Sequence, residues 1–234
     1  MEKPAVVEKH TPRETALQRL ARESRDAAIA FFRTAVLSLL LAPVLLWAFL
    51  TADLPVHTLD RFFAPGAAIS PSQWLTYGGV VLALAPLVAI LIARRFGGDA
   101  ASRTITISWG LAAVAVFFEL SYLAPALNAG DFPPARFVVA VAVSAMAAQY
   151  IAVSVYDVAR GGGRWWRAPL YAALSGYFLA GLIYFPGVYY GAGVPWLHWM
   201  VGDIAVKAVI AVAFLPFYGV LRQALKPAFG LGAA

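Results

Sequence analysis

Six stretches of about 20 mostly apolar residues, joined by short polar connectors, leave this chain few ways to fold. They cover residues 30–50, 74–93, 104–123, 137–158, 168–190 and 197–221 of 234. Each is too long for a strand, and a helix of about 20 residues crosses a hydrocarbon layer about 30 Å thick. Backbone polar groups in lipid must be satisfied within their own segment, so helices are expected. The expected fold is therefore all-α: a polytopic integral membrane protein built as a bundle of six transmembrane helices. Only 13 % of the residues are charged and 62 % are apolar, whereas a soluble domain carries about a quarter charged residues. A surface that apolar needs lipid to cover it.

Residues 1–28 are polar and charged, which predicts no apolar leader near the start. Thr11-Pro12-Arg13-Glu14 reads as a helix start, with Thr11 as N-cap and Glu14 reaching back to it. Leu17, Leu20 and Ala21 then share a face bordered by Arg13, Arg19, Arg22 and Arg25. Two readings stay open for this segment: an amphipathic helix lying on the membrane surface, or a solvated lead-in to the first span. Residues 29–226 make up the transmembrane domain and 227–234 a short tail. The connectors carry breakers at Pro65-Gly66, Gly97-Gly98, Pro133-Pro134, Gly161-Gly162-Gly163 and across 191–195. The longest, 51–73, holds Asp53, Asp60, Arg61, Phe62 and Phe63, and has room for a short interfacial helix.

Cytoplasmic loops carry an excess of Lys and Arg. With the N-terminus inside, Lys3, Lys9, Arg13, Arg19, Arg22, Arg25 and Arg33 fall on the inner side, as do Arg94, Arg95, Arg103, Arg160, Arg164, Arg167, Arg222 and Lys226. Only Arg61 and Arg136 fall outside. The alternation predicts a multi-pass protein of the inner (plasma) membrane with both termini cytoplasmic. It also accounts for the formal charge of +6 through anionic inner-leaflet lipid, with no nucleic-acid partner. Trp74, Tyr189, Tyr190, Trp196 and Trp199 are placed for an outer aromatic belt, and Trp165 and Trp166 for an inner one.

Ionisable groups inside a span are costly, so each needs a reason. Lys207 lies near the middle of the last span, with Asp203 one turn earlier on the same face. Glu119 sits in the outer half of the third span. Helices running from opposite sides place Glu119 and Asp203 at similar depth, about 7–9 Å outward of the midplane. These groups would either line a polar cavity that contacts a solute or serve packing, as an ion pair between Asp203 and Lys207 and a Glu119 reaching for the outer surface. Gln149, Tyr177 and Tyr184 would add hydrogen bonds and a stacking face, or bridge helices. Asp157 is expected to pair locally with Arg160. Pro43, Pro86, Pro186 and Pro216 fall within spans, where proline frees backbone groups and kinks helices. Gly176 and Gly181 allow close helix approach.

The chain has no cysteine and three histidines, His10, His57 and His198. That excludes thiolate chemistry and argues against a histidine-rich metal site. The sequence also lacks H-E-x-x-H, P-loop and G-x-S-x-G patterns. Neither catalysis, nor a cofactor, nor a metal is expected. The expected partners are a small-molecule substrate and the lipid bilayer, with homo-oligomerisation left open.

The last two spans carry recognisable runs: Arg164-Trp165-Trp166-Arg167-Ala168-Pro169, then His198-Trp199-Met200, Asp203-Ile204-Ala205-Val206-Lys207 and Leu215-Pro216-Phe217-Tyr218-Gly219-Val220-Leu221. Together they resemble the vitamin-uptake-like family of queuosine precursor transporters, whose members end in a similar D-x-x-x-K helix and L-P-x-Y-G. The likeness covers residues 134–226 and extends weakly to Arg94, Phe96-Gly97 and Arg103. It implies six helices, a central site and uptake of a deazaguanine base, held by aromatic stacking and a carboxylate that accepts from its guanine-like donor edge. By position, Gln149, Asp203 and Lys207 match polar residues of the family pattern. Acidic positions of that pattern correspond here to Ile90, Ala152 and Ala180, and a polar one to Tyr177. Losing those groups implies an altered ligand or none. A non-transporting scaffold on the same fold is therefore the second reading. A third, a retinal-binding photoreceptor with Lys207 as the Schiff-base lysine, conflicts with six spans in place of seven.

Overall fold

The computed structural model describes residues 15–64, 66–126, 133–161 and 163–226. The expected helix start at residues 11–14, the basic Lys3 and Lys9, His10, the connector residues Pro65 and Gly162, and the tail at 227–234 lie outside the described residues. Helices account for most of the rest: α1 (Ala16–Leu50), α2 (Tyr77–Leu82), α3 (Leu84–Phe96), α4 (Gly98–Leu123), α5 (Ala135–Ala159), α6 (Arg167–Tyr189) and α7 (Trp196–Ala224). Helices α2 and α3 make one span, Tyr77–Phe96, so six helices among the described residues are long and apolar enough to cross a membrane. The all-α membrane fold read from the sequence is the fold observed.

Met1–Arg33 and Thr34–Ala234 form separate compact units. In the first, helix begins at Ala16 behind a reciprocal capping box: Gln18 N–H donates to Thr15 Oγ1 at 3.3 Å and Thr15 N–H to Gln18 Oε1 at 3.1 Å. Leu17 and Leu20 are exposed there, and Arg19 pairs with Glu23.

In the second unit, α3 is central, packing against α4, α5, α6 and α7. Pro86 explains why its span is broken. It has no N–H for the Leu82 carbonyl, and regular helix is interrupted at Ala83. Pro43, Pro186 and Pro216, by contrast, lie inside continuous helices. Small residues let helices touch backbone to backbone. A Cβ on Gly176 would lie 2.5 Å from the Ala148 carbonyl oxygen, and one on Gly78 would collide with the backbone of Ala48 and Ala52.

The connector between α1 and α2 forms two single 3₁₀ turns, Asp60–Phe62 and Pro71–Gln73, where the sequence left room for an interfacial helix. Pro55, Pro71 and the left-handed Gly66 prevent a longer helix. Asp60 ties the connector together. Its carboxylate accepts from the Ser72 backbone N–H at 3.0 Å and meets His57 Nδ1 at 3.2 Å. The Ser72 N–H, foremost, holds the Asp60 carboxyl below its ordinary value.

The connector lies at the same end of the bundle as the start of α5 and the end of α6. Arg136, an exception to the basic pattern, has a structural role there. It donates to the carbonyls of Pro186, Gly187 and Tyr190, capping the last turn of α6. At the opposite, arginine-rich end, Asp157 pairs with Arg160 at 3.3 Å as expected. The Asp157 carboxylate also rests on Gly98 at the start of α4, leaving no space for a side chain there.

Candidate functional site

Asp203 and Lys207 lie one turn apart on the inward face of α7. Lys207 Nζ donates to Asp203 Oδ2 at 2.6 Å, and only 7 % of the Asp203 side chain and 15 % of the Lys207 side chain are exposed. A hydrogen bond between two full charges partly offsets the cost of taking both out of water. The ammonium has three donors, and among the described residues Asp203 is its only hydrogen-bond acceptor. A donor and an acceptor thus stand side by side, with capacity left for a third group.

Glycines set the position of this turn. Gly181 of α6 leaves room for Met200 and Ile204, which would lie 3.2 and 3.1 Å from a Cβ there. Gly202, next to Asp203, receives the Trp74 ring, which would lie 2.7 Å from a Cβ. One turn before Asp203, Trp199 is 5 % exposed and donates from Nε1 to the Ala68 carbonyl at 2.9 Å. Trp199 therefore belongs to the packed interior and holds the connector against α7, whereas the sequence placed it in an interfacial belt. Its indole was the signal available: a buried Nε1–H requires an acceptor.

Aromatic rings continue from this turn. Trp199 meets Tyr189 edge to face at 5.1 Å, Tyr189 meets Tyr184 at 6.1 Å, and Tyr184 meets Phe137 at 6.3 Å. Tyr177 is 1 % exposed, and its hydroxyl donates to the Ala83 carbonyl at 2.6 Å, so its polar group serves the break between α2 and α3.

Two other residues singled out from the sequence are placed differently. Gln149 is fully buried on α5, where Nε2 donates to the Ala145 carbonyl of its own helix at 3.2 Å. Its Oε1 is buried with no hydrogen-bond partner. Glu119 is exposed on α4, beside the exposed Phe117 and Phe118, and α4 packs on α3 and α5. The structure does not bring it to Asp203 and Lys207. Equal depth does not make two residues face each other, and the rotation of α4 turns Glu119 outward. Of the positions where the resemblance expects acids, Ile90 and Ala152 are fully buried and Ala180 is 8 % exposed.

Arg94, Arg160, Arg164 and Arg222 line one hollow of about 310 Å³ at the arginine-rich end, a convergence the sequence alone does not reveal. The sequence scatters them along the inner boundary as orientation signals.

A family model described as "Putative vitamin uptake transporter" matches residues 76–221, from the second span into the last. No curated protein and no solved structure gives a significant match.

Proposed function

The chain belongs to the putative vitamin uptake transporter family, and on that premise we propose that it is an uptake carrier for a small planar aromatic solute of purine or deazaguanine type. The observation that carries the proposal is the buried Asp203–Lys207 pair on α7, inside the matched region and next to the Tyr184–Tyr189–Trp199 rings. A guanine-like edge presents one carbonyl acceptor beside N–H donors. Lys207 offers donors to the carbonyl, Asp203 accepts from the N–H groups, and an aromatic face stacks on the base plane. Met200 and Ile204 pack this turn of α7 against Gly181 of α6. Tyr177 acts by tying α6 to the break between α2 and α3, Gln149 bonds within its own helix α5, and Glu119 lies off this path. The substrate and the bilayer are its partners, and the carrier sits in the plasma membrane with both termini cytoplasmic.

The test is uptake of labelled deazaguanines, purines and related bases by cells with and without the correctly inserted protein. The expected result is protein-dependent accumulation of at least one base, abolished by Lys207→Met. Equal accumulation of every base with and without the protein would remove the carrier reading. Sidedness is checked independently: the chain lacks cysteine, so a single one introduced next to Lys226 should react with an impermeant thiol reagent only after the cells are opened.

The buried apolar residues at Ile90 and Ala152 favour a second reading, a non-transporting scaffold on the same fold. On that reading the paired change Asp203→Leu/Lys207→Met, which leaves no unpaired charge, would leave the cellular role of the protein intact.

A further inference from the structure

The hollow at the arginine-rich end has a definite chemistry. Arg94 comes from the end of α3, Arg160 from the end of α5, Arg164 from the connector to α6, and Arg222 from the last turn of α7. No carboxylate lines it. The nearby Asp157 is engaged with Arg160, and no ion pair among the described residues engages Arg94, Arg164 or Arg222. Four guanidinium groups converge against one adjacent carboxylate, so the hollow is strongly cationic.

Its walls are built rather than incidental. Arg94 is fixed by donating to the Tyr218 hydroxyl at 3.3 Å and to the Arg222 carbonyl at 3.0 Å, yet its Nε–H is buried with no partner. Tyr218 is in turn held by the Tyr156 hydroxyl at 2.9 Å. The Trp165 ring lies near-parallel to Tyr218, 9° apart in plane and 6.4 Å between centres, and carries the Arg222 guanidinium 5.6 Å from its own centre. A Cβ on Gly219 would lie 3.1 Å from Trp165, so the glycine lets the indole settle on the α7 backbone. Holding four like charges together has a cost that an anion removes. Planar guanidinium forks match the oxygens of a phosphate, and basic pockets between transmembrane helices suit phosphorylated headgroups.

We propose that this hollow is a binding site for a phosphate-type oxyanion, held by Arg94, Arg160, Arg164 and Arg222 against Trp165. The inference does not depend on the carrier reading. The anion has two sources, a free phosphate or small phosphate ester and the headgroup of an anionic lipid, and the same arginines read either. The site lies on the face of α7 that carries Asp203 and Lys207: Tyr218 is 15 residues beyond Asp203, about 22 Å along the helix.

The experiment uses the purified full chain in a non-ionic detergent and follows its thermal unfolding and tryptophan emission. One arm titrates sodium phosphate against sodium chloride at matched ionic strength. A second adds phosphatidylglycerol or phosphatidylcholine to the micelles. Each arm is repeated with Arg164→Gln/Arg222→Gln, which removes two charges while leaving the Arg94 contacts to Tyr218 and the Arg222 carbonyl. Stabilisation by phosphate over chloride, weakened roughly tenfold in apparent affinity in the double variant, supports the site with a free phosphate as ligand. Stabilisation by phosphatidylglycerol alone, again lost in the variant, supports it with a lipid headgroup as ligand. No stabilisation in either arm, or equal stabilisation of wild type and variant, overturns the proposal. If the double variant does not fold, Arg164→Gln alone, at an exposed position, decides by the same readouts.

Discussion

The Tyr177 hydroxyl donates to the Ala83 carbonyl at 2.6 Å, joining α6 to the point where α2 gives way to α3. The two residues are 94 positions apart in sequence and both are buried. Pro86 interrupts the span, and the tyrosine supplies a donor at the interruption in a region where water is scarce. Tyr177→Phe is expected to lower stability by about 1 kcal/mol, the scale of one interhelical hydrogen bond in a membrane protein, with the helix content unchanged. Thermal unfolding of the purified variant followed by circular dichroism measures both.

The Asp203–Lys207 pair should show strong coupling. Lys207→Met leaves a carboxylate in a site where only 7 % of its side chain is exposed, and Asp203→Leu leaves a lone ammonium. Each single change is expected to destabilise by about 3–5 kcal/mol, and the double change by less than either, because no unpaired charge remains. A double-mutant cycle on unfolding free energies tests this. Additive losses would mean that the two charges do not sense each other.

Close approach of α5 and α6 makes Gly176 the less tolerant of two contrasting glycines. Its missing Cβ would meet a backbone oxygen at 2.5 Å, whereas nothing lies within 4 Å of one on Gly110. Gly176→Ala should destabilise by about 1–3 kcal/mol through overpacking. Gly110→Ala should be neutral or stabilising by up to about 1 kcal/mol through helix propensity. Comparing the two melting temperatures separates packing from a general effect of adding a methyl group.

Asp60 gives the connector an acid-sensitive tie. Its carboxyl is held below the ordinary value of 3.8 mainly by the Ser72 N–H. A folded-state value below the unfolded one stabilises the connector at higher pH, and that contribution is lost as pH falls through the folded value. The connector should therefore keep its order from neutral pH down to about pH 4 and loosen below that. Trp74, whose Nε1 donates to the Ile69 carbonyl at 3.2 Å, reports the change through its fluorescence. In Asp60→Asn the acid transition should disappear.

Much of the local chemistry was legible without the fold. Asp203 and Lys207 are four residues apart on a helix, so their pairing needs only helical geometry. The same holds for Asp157 and Arg160. Glu119, Trp199 and the four arginines were not legible in this way. In a soluble helix the apolar stripe marks the buried side. In lipid both sides are apolar, so hydrophobicity says little about which face looks inward. Glu119 and Asp203 could be matched in depth from the sequence but not in direction. The arginines could be assigned to one end, but not to one hollow.

The sequence by itself determined the number and rough place of the spans and the pairing of neighbours on one helix, but not which of the four prolines within spans would interrupt one. The first two follow from the thickness of the hydrocarbon layer and the 3.6-residue turn, neither of which depends on a partner. Only the tertiary structure decided that Tyr177 reaches Ala83, that Trp74 and Trp199 seat the connector on α7, and that Arg94, Arg160, Arg164 and Arg222 face one another. Those contacts depend on how each helix is rotated about its own axis. That rotation is set by which glycines and alanines allow backbones to meet, a property of pairs of helices that no single segment carries.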